Sequence, residues 1–158
     1  MSKSLARVKG TAEALGLPIT VKETGRSTRT AAEAAAVMGC VVDQIGKSIL
    51  IAGSLTGSLH LFLTPGGRQV DLARAADIMG EETAKADAAK VRSVTGFAIG
   101  GVSPLGHLSP IPIWIAPELL GFSTIWVAAG TPHHLFEIAP DLLAQAVNAR
   151  SRAFLTEI

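Results

Sequence analysis

Residues 48–63 read SILIAGSLTGSLHLFL. Two apolar runs, SILIA and LHLFL, flank GSLTGS, whose glycines and serines mark a chain reversal. The two runs are expected to pair as neighbouring strands. With no helix between them, they argue against a doubly wound parallel sheet.

On the N-terminal side, Leu5, Val8, Ala12 and Leu15 recur at helical spacing and Gly16 stops the pattern. Pro18 opens a short extended run, ITVKET, and GRSTR reads as a polar loop. Thr30-Ala-Ala-Glu33 is a capping box ahead of an Ala-rich helix that ends at Gly39. On the C-terminal side, TPGG is a turn, and helical patterns follow at LARAADIM and from Glu81 to Val94. FAIGG, IPIWIA, STIWVAA and LFEIA read as further strands. PDLLAQAVNA closes the chain as a helix with Pro140 in its first turn. The expected order is α-β-α-β-β-α-α-β-β-β-β-α. The fold class it implies is α/β (α+β): a mixed, partly closed, barrel-like sheet with helices outside.

Composition bounds the rest. The 158 residues suit a single domain, residues 1–158, with a core built from Ala, Val, Ile and Leu, since there are only five Phe, two Trp and no Tyr. No run of about 18 apolar residues predicts a membrane span, and the charged start MSKSLARVKGTAEALG carries no signal-peptide pattern. The lone Cys40 fits a cytoplasmic protein and reads as an ordinary thiol. Residues 1–29 hold a net charge of +4 within an overall +1, which leaves −3 for the remainder. A basic leading segment can meet a polyanion; ordinary solvated faces explain it equally well.

Familiar chemical signatures are missing. There is no G-x-x-x-x-G-K-[ST], no G-x-G-x-x-G, no C-x-x-C and no H-x-x-x-H, so no cofactor and no metal are expected. Ser103 sits in Val-Ser-Pro, not in a nucleophile elbow. Three features remain. TGFAIGGVSPLGH, residues 95–107, holds four of the sixteen glycines. Gly100 and Gly101 permit close approach to a ligand, and Pro104 stiffens the far side. Such a loop can aim N–H groups at an anion, or it can be a tight corner. Lys47, at the mouth of an apolar strand, is either a phosphate contact or simply solvated. AGTPHH places Gly130, Thr131 and His133 after a strand, where an imidazole could meet a ligand or serve structure alone.

In this order the three stretches resemble the YbaK/ProX family of aminoacyl-tRNA editing domains, which are inserted in or stand apart from prolyl-tRNA synthetases. The resemblance rests on TAAEAAAVMGCVVDQIGKSILI, on AKVRSVTGFAIGGVSPLGH and on the closing strand and helix, so it covers nearly the whole chain. GGVSPLGH looks like the family's G-x-x-x-P loop, here from Gly100 to Pro104. The implied activity is hydrolysis of the ester that joins a wrong, small amino acid to the terminal adenosine of a tRNA, with tRNA-Pro as one candidate. The implied catalytic residues are Lys47, Gly100 and Gly101. The implied substrate-binding residues are Thr24, Val102, Ser103, Pro104, His107, Gly130, Thr131 and His133. Attack by water helped by the substrate's own ribose hydroxyl would account for the missing nucleophile. The implied partners are the acceptor end of an aminoacyl-tRNA, with a prolyl-tRNA synthetase and a second copy of the chain left open, and no membrane. The chain departs from better-known members at AGTPHH, where they carry a basic Gly-containing turn, and near Thr24, where some place a Tyr. Asp141 fits a helix first-turn acid better than a catalyst. Two alternatives stay open: a non-catalytic module that binds a nucleotide or aminoacyl-tRNA, and a hydrolase of small esters.

Overall fold

The computed structural model describes residues 2–25 and 30–158. The loop expected at GRSTR, with Arg26 and Arg29, lies outside the described residues apart from Gly25. Helix α1 (Lys3–Ala14) is capped by the Ser2 hydroxyl, which accepts the N–H of Leu5. Strand β1 (Thr20–Glu23) follows. Helix α2 (Ala31–Met38) starts at Thr30, whose hydroxyl oxygen accepts the Glu33 N–H, and ends on Gly39 at φ 70°. Strands β2 (Ile45–Gly53) and β3 (Leu59–Pro65) form the expected hairpin. Helix α3 (Leu72–Met79) is capped by Asp71. Then come β4 (Thr83–Lys85), α4 (Ala88–Thr95), β5 (Ile113–Ile115), β6 (Ile125–Ala128), β7 (His134–Ile138), α5 (Pro140–Ala146) and β8 (Arg150–Ser151).

Two expectations are corrected. Residues 81–94 are not one helix. Asp87 accepts the N–H of Lys90 as a cap, so α4 begins only at Ala88, and the residues before it add β4 to the sheet. FAIGG is not a strand. Gly96 closes α4 at φ 81°, the Thr95 hydroxyl accepts the Phe97 N–H, and the chain curls into turns. The local helix stop outweighs the β propensity of Phe and Ile.

The strands form one mixed sheet in the order β1-β7-β6-β2-β3-β5-β8, with β4 also on β2. Neighbours β2/β6, β3/β5 and β5/β8 run parallel, and the other pairs antiparallel. The main core lies on the face that carries Leu59, Leu61 and Leu63. It is sealed by Leu5 and Val8 of α1, Val91 of α4 and Leu143 of α5. On the other face Phe62, Trp114 and Phe154 pack beneath Ala75 of α3, and Ile45, Trp126 and Leu135 pack beneath Ala34 and Ala35 of α2. Among the described residues no helix is long and apolar enough to cross a membrane.

Candidate functional site

Strand β2 has two partners on the edge away from β3. Its start pairs with β6, through Ile45 and Gly46. Its end pairs with β4, from Ile51 to Gly53. Between these, residues 47–50 have no strand on this edge among the described residues. The alternation of an antiparallel ladder says which groups face this gap. The Gly53 N–H bonds to the Ser58 carbonyl on the β3 side, so the backbone groups of Ser48 and Leu50 point the opposite way, into the gap.

The segment 96–106 arches over this edge. Ile99, Gly100 and Val102 face Ser48 and Ile49, and two recesses meet there. One, of about 510 Å³, runs between Leu50, Leu72, Ala84 and Ala86. The other, of about 280 Å³, runs past Lys47 to Ala31 and Ala34 of α2, Ala128 and Thr131. The first is walled mainly by aliphatic side chains. The second is walled mostly by small ones.

At the junction the Ser48 hydroxyl oxygen is buried and has no hydrogen-bond partner among the described residues. A buried hydroxyl without a partner is costly, so one that persists at a cleft is a candidate ligand contact. Beside it, Lys47 donates from Nζ to the Arg68 carbonyl at 2.8 Å. Burial pulls its ammonium below the ordinary lysine range, and the nearby Asp43 carboxylate opposes that shift.

Four of the residues singled out in the sequence line the cleft: Lys47, Gly100, Val102 and Thr131. The two loop glycines serve different needs. Gly100 has φ 98° with open space where a Cβ would stand, so conformation requires it. At Gly101 a Cβ would lie 3.1 Å from the Thr131 backbone, so close packing requires it. The Gly101 N–H donates to the Ala98 carbonyl at 3.0 Å. It is spent inside the loop's own turn, so the expected N–H contact from Gly101 to a ligand does not fit this geometry.

The others stand behind the walls. Ser103 is fully buried, and its hydroxyl oxygen accepts the Leu105 N–H. Pro104 is buried beside it. His107 donates from Nε2 to the Ser103 carbonyl at 2.6 Å and meets the Phe97 ring edge-on. Burial holds its imidazole below the usual histidine range; the bond to Ser103 opposes this and the Arg7 charge adds to it. Gly130, at φ 97°, lies where a Cβ would be 2.9 Å from both the Ser4 carbonyl oxygen and the Phe97 ring. Thr24 bonds through its N–H to the His133 carbonyl at 2.8 Å, where β1 meets β7. His133 is exposed, outside both recesses, while the Thr131 hydroxyl bonds to Nδ1 of His134 at 2.7 Å.

The sequence reading missed Ser48, and its only signal was the place next to Lys47. It also missed the small-residue wall of α2, visible only as an Ala-rich helix. Cys40 is a free, half-buried thiol whose pKa burial raises. Among the described residues no group of three His, Cys, Asp or Glu side chains could hold a metal ion.

Comparison with known proteins fits this cleft. A family model described as "Aminoacyl-tRNA editing domain" matches residues 26–146. EbsC of Enterococcus faecalis, named as a candidate Cys-tRNA(Pro)/Cys-tRNA(Cys) deacylase, is 27% identical over 121 residues, 76% of this chain and 73% of that protein. A crystal structure described as a candidate trans-editing enzyme for prolyl tRNA synthetase is 39% identical, with a TM-score of 0.92 over 99% of both chains. The hypothetical protein APE2540 is 25% identical, with a TM-score of 0.88 over 95% of this chain and 99% of its own. EbsC is thus named for hydrolysis of an aminoacyl-tRNA ester, the matched residues 26–146 span β2 with Lys47 and Ser48, the glycine loop and both recesses, and the chain therefore belongs to the aminoacyl-tRNA editing domain family.

Proposed function

We propose that this chain acts in trans, in the cytoplasm, on tRNA-Pro carrying a wrong, small amino acid and hydrolyses the ester. The observation that carries the reading is the meeting of two unequal recesses at an unpaired strand edge. An aminoacyl ester has two unequal halves. The amino acid enters the smaller recess, whose Ala31, Ala34 and Ala128 walls leave room for a short side chain. The terminal adenosine occupies the larger one. The ester carbonyl then lies at Ser48, opposite Gly100.

The reaction is addition and collapse. A water oxygen bonds to the ester carbon and gives up a proton while the carbonyl electrons move to oxygen; those electrons then re-form the carbonyl, the bond to the ribose oxygen breaks, and that oxygen takes up the proton and leaves. A backbone N–H of β2 and the Ser48 hydroxyl are donors placed for the oxyanion, and they are held rigid by the sheet. As the family resemblance implies, the ribose hydroxyl beside the ester relays the proton. Lys47 meets a phosphate of the acceptor end as a point charge. The names of the relatives support a tRNA-Pro substrate, and cysteine and alanine are the first amino acids to test.

The test is a deacylation panel. Purified protein is mixed with tRNA-Pro charged with alanine, cysteine, serine or proline, and loss of the ester is followed. Rapid loss from one mispaired tRNA, with Pro-tRNA-Pro spared, is expected. No loss from any of them would overturn the reading, and tight binding without loss would make the chain a binding module.

A further inference from the structure

The loop over the cleft is tied down from an element that takes no part in lining it. Arg7 projects from α1. Its Nε donates to the Gly106 carbonyl at 2.8 Å, and its Nη2 to the Gly96 carbonyl at 2.9 Å. Its guanidinium carbon lies 4.5 Å from the centre of the Phe97 ring. One planar group thus grips both feet of the segment 96–106 and the first side chain between them. No ion pair to a carboxylate involves Arg7 among the described residues. Its charge faces carbonyl oxygens instead, one of them at the C-terminal end of α4, where a helix favours a cation.

Neighbouring groups fit the same reading. A Cβ on Gly96 would fall 2.4 Å from Arg7 Nη2, so the glycine leaves the guanidinium its room. Gly106 packs against the α1 backbone at Arg7 and Val8, and Gly130, ahead of the opposite wall at Thr131, packs against Ser4. Helix α1 therefore touches both walls of the cleft, although it precedes the residues 26–146 that the family model matches.

We propose that Arg7 is the positioning residue of this site. It fixes the feet of the glycine loop and so holds Ile99 and Gly100 at their working distance from Ser48. A loop with pinned ends has fewer conformations than one with loose ends. A displacement of about an ångström at a reacting centre can cost about a hundredfold in rate. The part of the proposal that concerns rate rests on the deacylase reading; the part that concerns the loop does not.

The experiment therefore has two readouts on the full-length chain. Amide hydrogen exchange is measured for residues 97–106 and for β2 and β3, in wild type, Arg7→Ala and Arg7→Lys. The kcat and KM are measured on the tRNA that wild type deacylates. For Arg7→Ala we expect loop exchange to rise at least about tenfold with β2 and β3 unchanged. We expect kcat to fall about ten- to a hundredfold, KM to move less, and added guanidinium ion to restore part of the rate. Arg7→Lys, able to reach one carbonyl but not both, should fall between. Loop exchange and kcat both within twofold of wild type would overturn the proposal. So would equal loosening of the loop and of β2 and β3, which would make Arg7 a general support of the fold. If Arg7→Ala fails to fold, Arg7→Lys decides on the same criteria. If wild type hydrolyses nothing, the deacylase reading fails while the exchange data still judge the loop.

Discussion

At Ser48 the structure sets stability and activity against each other. Its hydroxyl oxygen is buried and meets no partner among the described residues, so its removal relieves an unpaired polar group. Ser48→Ala should leave the melting temperature unchanged within about 2 °C or raise it, while deacylation falls by at least about tenfold. Thermal melts and single-turnover rates check this, and a variant that melts early and keeps its rate would make the hydroxyl structural. His107 carries a pH signature. Burial first, and the Arg7 charge as well, hold its imidazole below the ordinary value, against the Ser103 bond. The unfolded chain therefore binds the proton more readily than the fold does. Stability from this group is complete above the unfolded pKa of about 6.5 and declines as the pH falls from there toward the lower folded value. His107→Gln, compared with wild type by denaturant titration across pH 4–8, should show a flatter decline. Of the site residues, Lys47 and Gly100 were legible because a cation on an apolar strand and a pair of glycines stand out in any sequence. Ser48 was not, because burial without a partner is a property of three-dimensional surroundings.

At the scale of elements, the gap in the sheet is bounded at one end by β4, whose last residue, Lys85, stands opposite Ile51. The Glu81 carboxylate accepts the N–H groups of Leu55 and Thr56 and the Thr56 hydroxyl, which sews the approach to β4 onto the β2–β3 turn. Those bonds from Thr56 lower its pKa, so the tether is present above the unfolded carboxylate value and is lost as the pH falls through the folded one. Glu81→Gln should speed amide exchange in Thr83–Lys85 and raise KM more than it lowers kcat, because β4 walls the larger recess. Equal exchange in the two proteins would show the tether to be idle. Helix ends were readable where a cap was spelled out, as at Thr30 and Gly39. The acids early and bases late in residues 81–94 imitate a helix dipole pattern, yet Asp87 supplies a better start within the run. FAIGG has strand composition, yet Gly96 ends α4 just ahead of it and the Thr95 hydroxyl and Ala98 carbonyl accept the N–H groups of Phe97 and Gly101, so the segment turns on itself and crosses the open stretch of β2 without pairing to it. Propensity has no access to that local turn.

For the whole molecule, charge predicts behaviour that no single contact does. If the acceptor end of a tRNA is held by Lys47 and the basic residues near the N-terminus, kcat/KM should fall as salt rises, because phosphate contacts release counterions. Lys47→Ala should weaken activity and reduce the slope of that dependence by about one. A slope unchanged by the substitution would remove Lys47 from the phosphate. The mixed sheet with helices outside was legible from the clustering of apolar runs, because strands without intervening helices leave few other arrangements. The fork in the sheet was not, since it arises from two strands sharing one edge at different heights. That fork has an evolutionary consequence. On the proposed reading one donor aimed at the ester is a backbone N–H of β2, which substitution cannot delete, whereas the recess walls are side chains that change one at a time. Selection can therefore retune which amino acid is removed by trading Ala31, Ala34 or Ala128 for larger residues. The open edge of β2 stays in place through each step of such a drift.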